Sequence, residues 1–251
     1  MDNMRYIKFF VAACLLFAVA VHAADVKVMS YNIRNCKGMD RMINYQRVAD
    51  VINAQQPDVL MLQEVDSATM RSSGVVVVDT LASLCNMYGT FSAAINFEGG
   101  KYGIGMLSRE KPLGVTRYAL PGREEERTLL VVEFKDYVMA STHLSLTEED
   151  RDASMPILLE AASRFNKPFF IAGDFNAEPT EAFIARFVKH FGIFGDAAVK
   201  TFPADNPNIK IDYIAIYGNE AAERVQSLDY NVINEPMASD HRPIITTVRI
   251  K

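Results

Sequence analysis

Two short runs of the chain, residues 58–65 (DVLMLQEV) and 169–172 (FFIA, continuing as GDFN), are apolar at consecutive positions. Runs of this length and character read as buried strands with no face left for water. A strand of that kind needs cover on both sides, which restricts the chain to packed layers of sheet and helix. Each run nevertheless delivers a carboxylate at its mouth, Glu64 in one and Asp174 in the other.

The remaining pattern extends this reading. Strands are predicted over 25–33, 88–97, 102–109, 113–119, 128–135, 137–144, 168–173, 209–217, 224–230 and 243–250. Tyr45, Val48, Val51 and Ile52 recur at helical spacing and stop before Pro57, and further helices are predicted over 76–86 and 181–190. Another opens at Thr147 with the acidic first turn Glu148, Glu149, Asp150, and Pro156 is expected to kink or restart it. Strands outnumber helices and the helices intervene irregularly. That argues for packed mixed sheets with helices outside, and against an alternating parallel barrel. At 251 residues, without an internal repeat or a Gly/Ser-rich linker, one domain over 24–251 is expected.

Residues 1–23 place Arg5 and Lys8 before the apolar stretch from Phe9 to Val21 and end on Val21-His22-Ala23. This reads as a cleaved secretory signal, which makes the protein secreted or periplasmic; a lipoprotein anchor at Cys14 ranks behind, and no span is expected in the mature chain. Cleavage removes two basic residues and one acidic residue and takes the formal charge from −5 to −6. Broad electrostatic capture of nucleic acid is therefore disfavoured. Cys36 and Cys85 remain, in no metal-type spacing, and read as two independent thiols.

Polar residues sit at or just past the predicted strand ends: Asn32, Glu64, His143, Asp174 with Asn176, Asp212, and Asp240 with His241. Any one of them alone is adequately explained as a turn residue, a solvated end or a core histidine. As a set, SYNIR, LQEVD, STHLS, AGDFNAEP, KIDYI and SDHRPI occur in this order over nearly the whole mature chain. In that order they resemble the endonuclease/exonuclease/phosphatase superfamily, metal-dependent phosphoester hydrolases.

The resemblance implies an α/β (α+β) fold, a four-layered sandwich of two packed mixed β-sheets flanked by helices. It also implies in-line attack of an activated water on a phosphoester, with Mg2+ as cofactor and Mn2+ as a substitute. By similarity Glu64 is the main metal carboxylate, Asn32 holds the metal's shell, and Asp240 supplies or supports a second position. Asp174 orients and deprotonates the water, Asn176 donates to phosphate or fixes that water, His143 donates to a phosphate oxygen, and His241 pairs with Asp212. Pleat alternation is expected to aim Asp174 and Asn176 to one side while Phe175 packs behind.

DNA-processing relatives carry a tyrosine just before the glycine strand that here reads GIGMLSR. Alignment on Gly103 puts Lys101 there and Tyr102 one place off. Lys101, Arg127 and Arg34 are thus the candidate substrate contacts, with Arg127 equally well read as a surface ion pair. The run Glu124-Glu125-Glu126 is expected to be an exposed loop. The expected activity is that of a phosphodiesterase on a small or exposed phosphoester, working as a monomer. A secreted nuclease acting on DNA or RNA is the alternative.

Overall fold

The computed structural model describes residues 24–251; the signal read over residues 1–23 lies outside the described residues. In chain order the elements are β1 (Ala24–Asn32), α1 (Tyr45–Gln55), β2 (Val59–Ser67), α2 (Val77–Cys85), β3 (Tyr88–Phe97), β4 (Gly100–Ser108), β5 (Gly114–Leu120), β6 (Arg127–Glu133), β7 (Val138–His143), α3 (Glu148–Ser163), β8 (Phe169–Asp174), α4 (Ala182–Phe187), β9 (Phe191–Ile193), β10 (Asp212–Tyr217), β11 (Val225–Ser227), β12 (Asn231–Val232) and β13 (Ile244–Ile250). One sheet has the order β11-β13-β1-β2-β4-β3, with β12 also on β13, and the other β5-β6-β7-β8-β10-β9. Both are mixed: β1 runs parallel to β2 and β7 to β8, and the other pairs are antiparallel.

The consecutive apolar runs follow from this layering. Val59 and Met61 of β2 pack inward against Leu130, Val132, Phe170, Ala172 and Ile214 of the second sheet. Leu60 and Leu62 point the other way, onto Val48 and Ile52 of α1 and Leu81 of α2. In β8, Phe170 and Ala172 face the first sheet, while Phe169 and Ile171 meet Leu158 of α3 and Phe183 and Phe187 of α4. The order of layers is therefore helix, sheet, sheet, helix, and a strand in either middle layer is dry on both faces.

Several expectations need correction. Pro156 does not restart the helix: α3 runs from Glu148 to Ser163 with Pro156 on its exposed side, where the carbonyl it strands can reach water. Thr147 occupies the N-cap of α3 without capping it; its hydroxyl lies 3.4 Å from Glu124 Oε2. The strand expected from residue 209 begins at Asp212, and of 224–230 only Val225–Ser227 is strand, as β11, with β12 following at Asn231–Val232. The strands β9, of three residues, and β12, of two, carry too little periodicity to be read from sequence. Cys36 and Cys85 are both buried and free. No helix among the described residues is long and apolar enough to cross a membrane.

Candidate active site

Pleat alternation brings the polar set together. Val28, Ser30 and Asn32 share the inner face of β1, as do Met139, Ser141 and His143 on β7, Phe170, Ala172 and Asp174 on β8, and Asp212 and Ile214 on β10. Asn32, His143 and Asp174 are the last inward positions of their strands, and Asp212 is the first of β10. Because β10 runs antiparallel to β8, its first residue lies beside the end of β8: Asp212 pairs in register with Asp174, and His143 with Asp174 on the other side. Gly173 makes this approach feasible. Its φ is +154°, and a Cβ there would collide with the Thr142 carbonyl oxygen of β7.

Glu64 arrives by a different device. It does not end β2, which continues to Ser67; it sits in a β-bulge between Leu62 and Val65 with φ +57°. The extra residue breaks the alternation that would send Glu64 toward the helices and re-aims it between the sheets. There it accepts a hydrogen bond from Asn32 Nδ2 at 3.1 Å. The same amide nitrogen donates to Asp174 Oδ2 at 3.0 Å and lies 3.4 Å from His241 Nε2, while Asn32 Oδ1 accepts from the Arg34 backbone N–H.

Asp174 Oδ2 is the common point. His143 Nε2 and His241 Nε2 each lie 3.6 Å from it. His241 Nδ1 is 3.0 Å from Asp212 Oδ2, and Ser239 ties its loop to β1 by donating to the Asn32 carbonyl at 2.7 Å. Asn176 does not reach the site by alternation as expected. β8 has ended, Asn176 has φ +48°, and its N–H closes a turn on Asp174 Oδ1 at 2.9 Å. One of its side-chain donors goes to the Leu144 carbonyl at 2.9 Å, and the residue still lines the cleft. Phe175 packs behind, fully buried against Phe187 and Tyr213.

The two histidines are driven in opposite directions. Burial is the main influence on His143; Asp174 opposes it, but Arg127 and His241 add to it, and the pKa falls to about 4. Burial also pulls His241 down, yet Asp212, Asp174 and Asp240 outweigh it and the ring rises to about 10. At neutral pH the site thus holds one neutral imidazole and one imidazolium. By linkage, the His241 pairing stabilises the fold fully below about 6.5 and ceases to do so as pH rises through about 10, while neutral His143 contributes above about 6.5 and loses its contribution as pH falls through about 4.

If turnover needs the imidazolium, the alkaline limb of kcat/KM lies near pH 10, and Asp212→Asn moves it down by at least about one pH unit. A pH–rate profile of both proteins is the check, and an unmoved limb assigns it to another group.

Glu64 is raised by burial first; Asn32 offsets this, and Asp240 and Asp174 add repulsion. A half-buried carboxylate with one hydrogen-bond donor and like charges beside it suits a divalent cation bound through oxygen. Asp174, Asp212 and His241 also place possible ligand atoms within 4.8 Å of one another. His241 Nδ1 is already engaged by Asp212, and a hard divalent cation prefers oxygen donors, which Glu64 and the carboxylates facing it supply.

The cleft around these groups has a volume of about 480 Å³ and is also lined by Asp240 and Arg127. Asp240 Oδ2 is 3.1 Å from Arg34 Nε, which places Arg34 at the rim already paired. Arg127 is not a surface charge but buried, held by Glu125 at 3.0 Å and Glu124 at 3.6 Å. The acidic run therefore folds back onto the site, with Glu124 also accepting from Ser145 Oγ at 2.7 Å. Lys101 is exposed and does not line the cleft, whereas Tyr102 does. Adjacent strand positions face opposite ways, so the one-place offset in the sequence decides which of the two reaches the site. Sequence reasoning missed Glu178, Glu181 and Phe202, which line the cleft together with Leu146, Ile209 and Ile211. Glu178 lies within AGDFNAEP and Glu181 two positions beyond it, and their proximity to Asp174 was the available signal.

The description Endonuclease/Exonuclease/phosphatase family matches residues 29–241. No curated protein matches the chain in sequence. Among solved structures, an endonuclease/exonuclease/phosphatase from Bacteroides vulgatus is 18% identical, with 91% of this chain and 100% of that one covered at TM-score 0.74. A family protein from Bacteroides thetaiotaomicron is 16% identical over 92% and 96% at TM-score 0.74. The mannosyl-6-phosphatase of Bacteroides thetaiotaomicron is 16% identical over 89% and 99% at TM-score 0.69. At these identities the likeness to solved structures is one of fold. With the family match spanning most of the chain, the protein belongs to the endonuclease/exonuclease/phosphatase family of phosphoester hydrolases and nucleases.

Proposed function

We propose that the protein is a magnesium-dependent phosphoester hydrolase, acting as a phosphodiesterase on a small or exposed ester. The observation that carries this is the meeting of Asn32, His143 and His241 on one oxygen of Asp174, with Glu64 held by the same Asn32 amide. A cation held by Glu64, with Asp174 and Asp240 nearby, would neutralise charge on the phosphate oxygens and stabilise the leaving oxygen.

The chain's own residues supply the rest. Asp174 accepts the proton of the attacking water, and Asn32, donating to Asp174 and Glu64 together, keeps the two carboxylates at a set separation. His241 presents Nε2–H to a phosphate oxygen, held in that orientation and protonation state by Asp212. Neutral His143 donates Nε2–H to a second phosphate oxygen. Asn176 keeps one amide hydrogen free of Leu144 for the water or the phosphate.

A nuclease is the second reading. Its weak point is the cleft, where carboxylates outnumber cations and no array of aromatics interleaved with Lys or Arg lies along it. A cleaved leader over residues 1–23 would send the enzyme out of the cytoplasm, and monomeric action is proposed with it.

The test is a panel of phosphodiesters and phosphomonoesters, run beside supercoiled plasmid with Mg2+ and with Mn2+. EDTA should abolish turnover and Mg2+ restore it. Glu64→Ala should lower kcat/KM at least about 10²-fold with an unchanged circular dichroism spectrum. Turnover that survives the chelator ends the metal assignment, and plasmid nicking faster than every small ester reverses the order of the two readings.

A further inference from the structure

Of the six ordered motifs, KIDYI lends Asp212 to the active site and leaves Lys210 without a role there. Lys210 is only 1% exposed, an unusual place for an ammonium. Its Nζ donates to one acceptor, the Asp196 carbonyl at 2.8 Å, and lies 5.3 Å from the ring centre of Tyr213 and 5.2 Å from that of Tyr230. Among the described residues it forms no ion pair. Burial pulls its pKa down to about 8, against the opposing pull of Asp196 and Asp212 at longer range. At neutral pH Lys210 is therefore mostly charged, with no carboxylate in contact, whereas buried charges are ordinarily paired. Lys210 also lines a cavity of about 260 Å³, whose other walls include Ile184, Val188, Ile193 and Tyr213 and carry no carboxylate. The cavity opens beside α4, where Ala185 and Val188 are exposed, and it shares no lining residue with the active-site cleft.

We propose that this cavity is a second ligand site, taking a short-chain aliphatic monocarboxylate whose carboxylate pairs with Lys210 and whose chain lies against Ile184, Val188 and Ile193. A carboxylate supplies the acceptors that the ammonium lacks, and pairing away from bulk water is stronger than pairing at the surface. An amine head would meet the same ammonium with like charge, and an alcohol would bring no countercharge. The aliphatic lining gains from each methylene it covers. An apolar cavity of about 150 Å³ already holds a benzene ring, so this one has room for a six-carbon chain. The site stands apart from the phosphoesterase reading and does not depend on it.

The experiment is calorimetric titration of the protein with acetate, butyrate, hexanoate, hexanol and hexylamine, with and without saturating inorganic phosphate. Affinity should rise about threefold for each methylene added between acetate and hexanoate. Hexanol and hexylamine should bind at least about tenfold more weakly than hexanoate, as should hexanoate to Lys210→Met. Phosphate should leave hexanoate binding unchanged, which separates this site from the imidazolium of the active site. Ala185→Trp places a large side chain at an exposed position of the cavity mouth, where folding is not at stake, and should also weaken hexanoate at least about tenfold.

Equal affinity for hexanoate and hexanol overturns the proposal, as does displacement of hexanoate by phosphate or the absence of any binding at millimolar concentration. Undiminished affinity in a folded Lys210→Met protein does the same. Should that variant fail to fold, Ala185→Trp decides: hexanoate binding as tight as in the wild type removes the site, and its loss supports it.

Discussion

Asp174→Asn should lower kcat/KM on a phosphodiester by about 10²–10⁴-fold, the range lost when a positioned proton acceptor is removed. The substitution is nearly isosteric and preserves the oxygen that accepts from the Asn176 N–H. It replaces Oδ2, the atom on which Asn32 Nδ2 at 3.0 Å and the two imidazoles at 3.6 Å converge, by a second amide nitrogen. Two donors then face each other in a buried site, which costs about 1–3 kcal/mol of stability. Activity should therefore fall far more than the melting temperature can explain. Steady-state kinetics beside thermal unfolding will show it, and a loss under tenfold in a folded protein would transfer the base role elsewhere.

His241→Ala should strike activity and stability together. Turnover loses the imidazolium that faces the phosphate, at about 10²–10³-fold. Asp212, only 2% exposed, loses its partner, and an uncompensated buried charge of this kind costs about 3–5 kcal/mol. The double variant His241→Ala/Asp212→Ala should recover much of the stability, because neither charge then remains buried alone, while regaining none of the activity. Denaturant unfolding of wild type, both single variants and the double variant closes the cycle. If the double variant is no more stable than His241→Ala, the two residues are not coupled as described.

These effects concern residues whose types were legible in the sequence but whose surroundings were not. Asn32 and Asp174 are 142 positions apart and meet because β1 and β8 belong to facing sheets. Alternation along a strand names the face of each side chain, and by that rule Asn32, His143 and Asp174 were placed correctly at strand ends. The rule fails where the backbone departs from the pleat. Glu64 enters through a bulge and Asn176 through a left-handed turn, and neither departure leaves a mark in the hydrophobic pattern. The reading of Arg127 as a surface pair failed for a related reason. The loop after β5 folds back, so that Glu124 binds Ser145 and Arg127 becomes a buried element of the cleft.

What the chain alone determined was the layered architecture and the identity of the polar residues that close its strands. Continuous apolar runs require cover on two faces, and six ordered motifs carry their side-chain chemistry with them. What only the tertiary structure decided was the state and company of those residues: a neutral His143 beside a charged His241, Tyr102 in the cleft in place of Lys101, and Glu178 and Glu181 on its lining. The reason is physical. Protonation and reach depend on burial and on neighbours brought from distant parts of the chain, and neither is a property of local spacing.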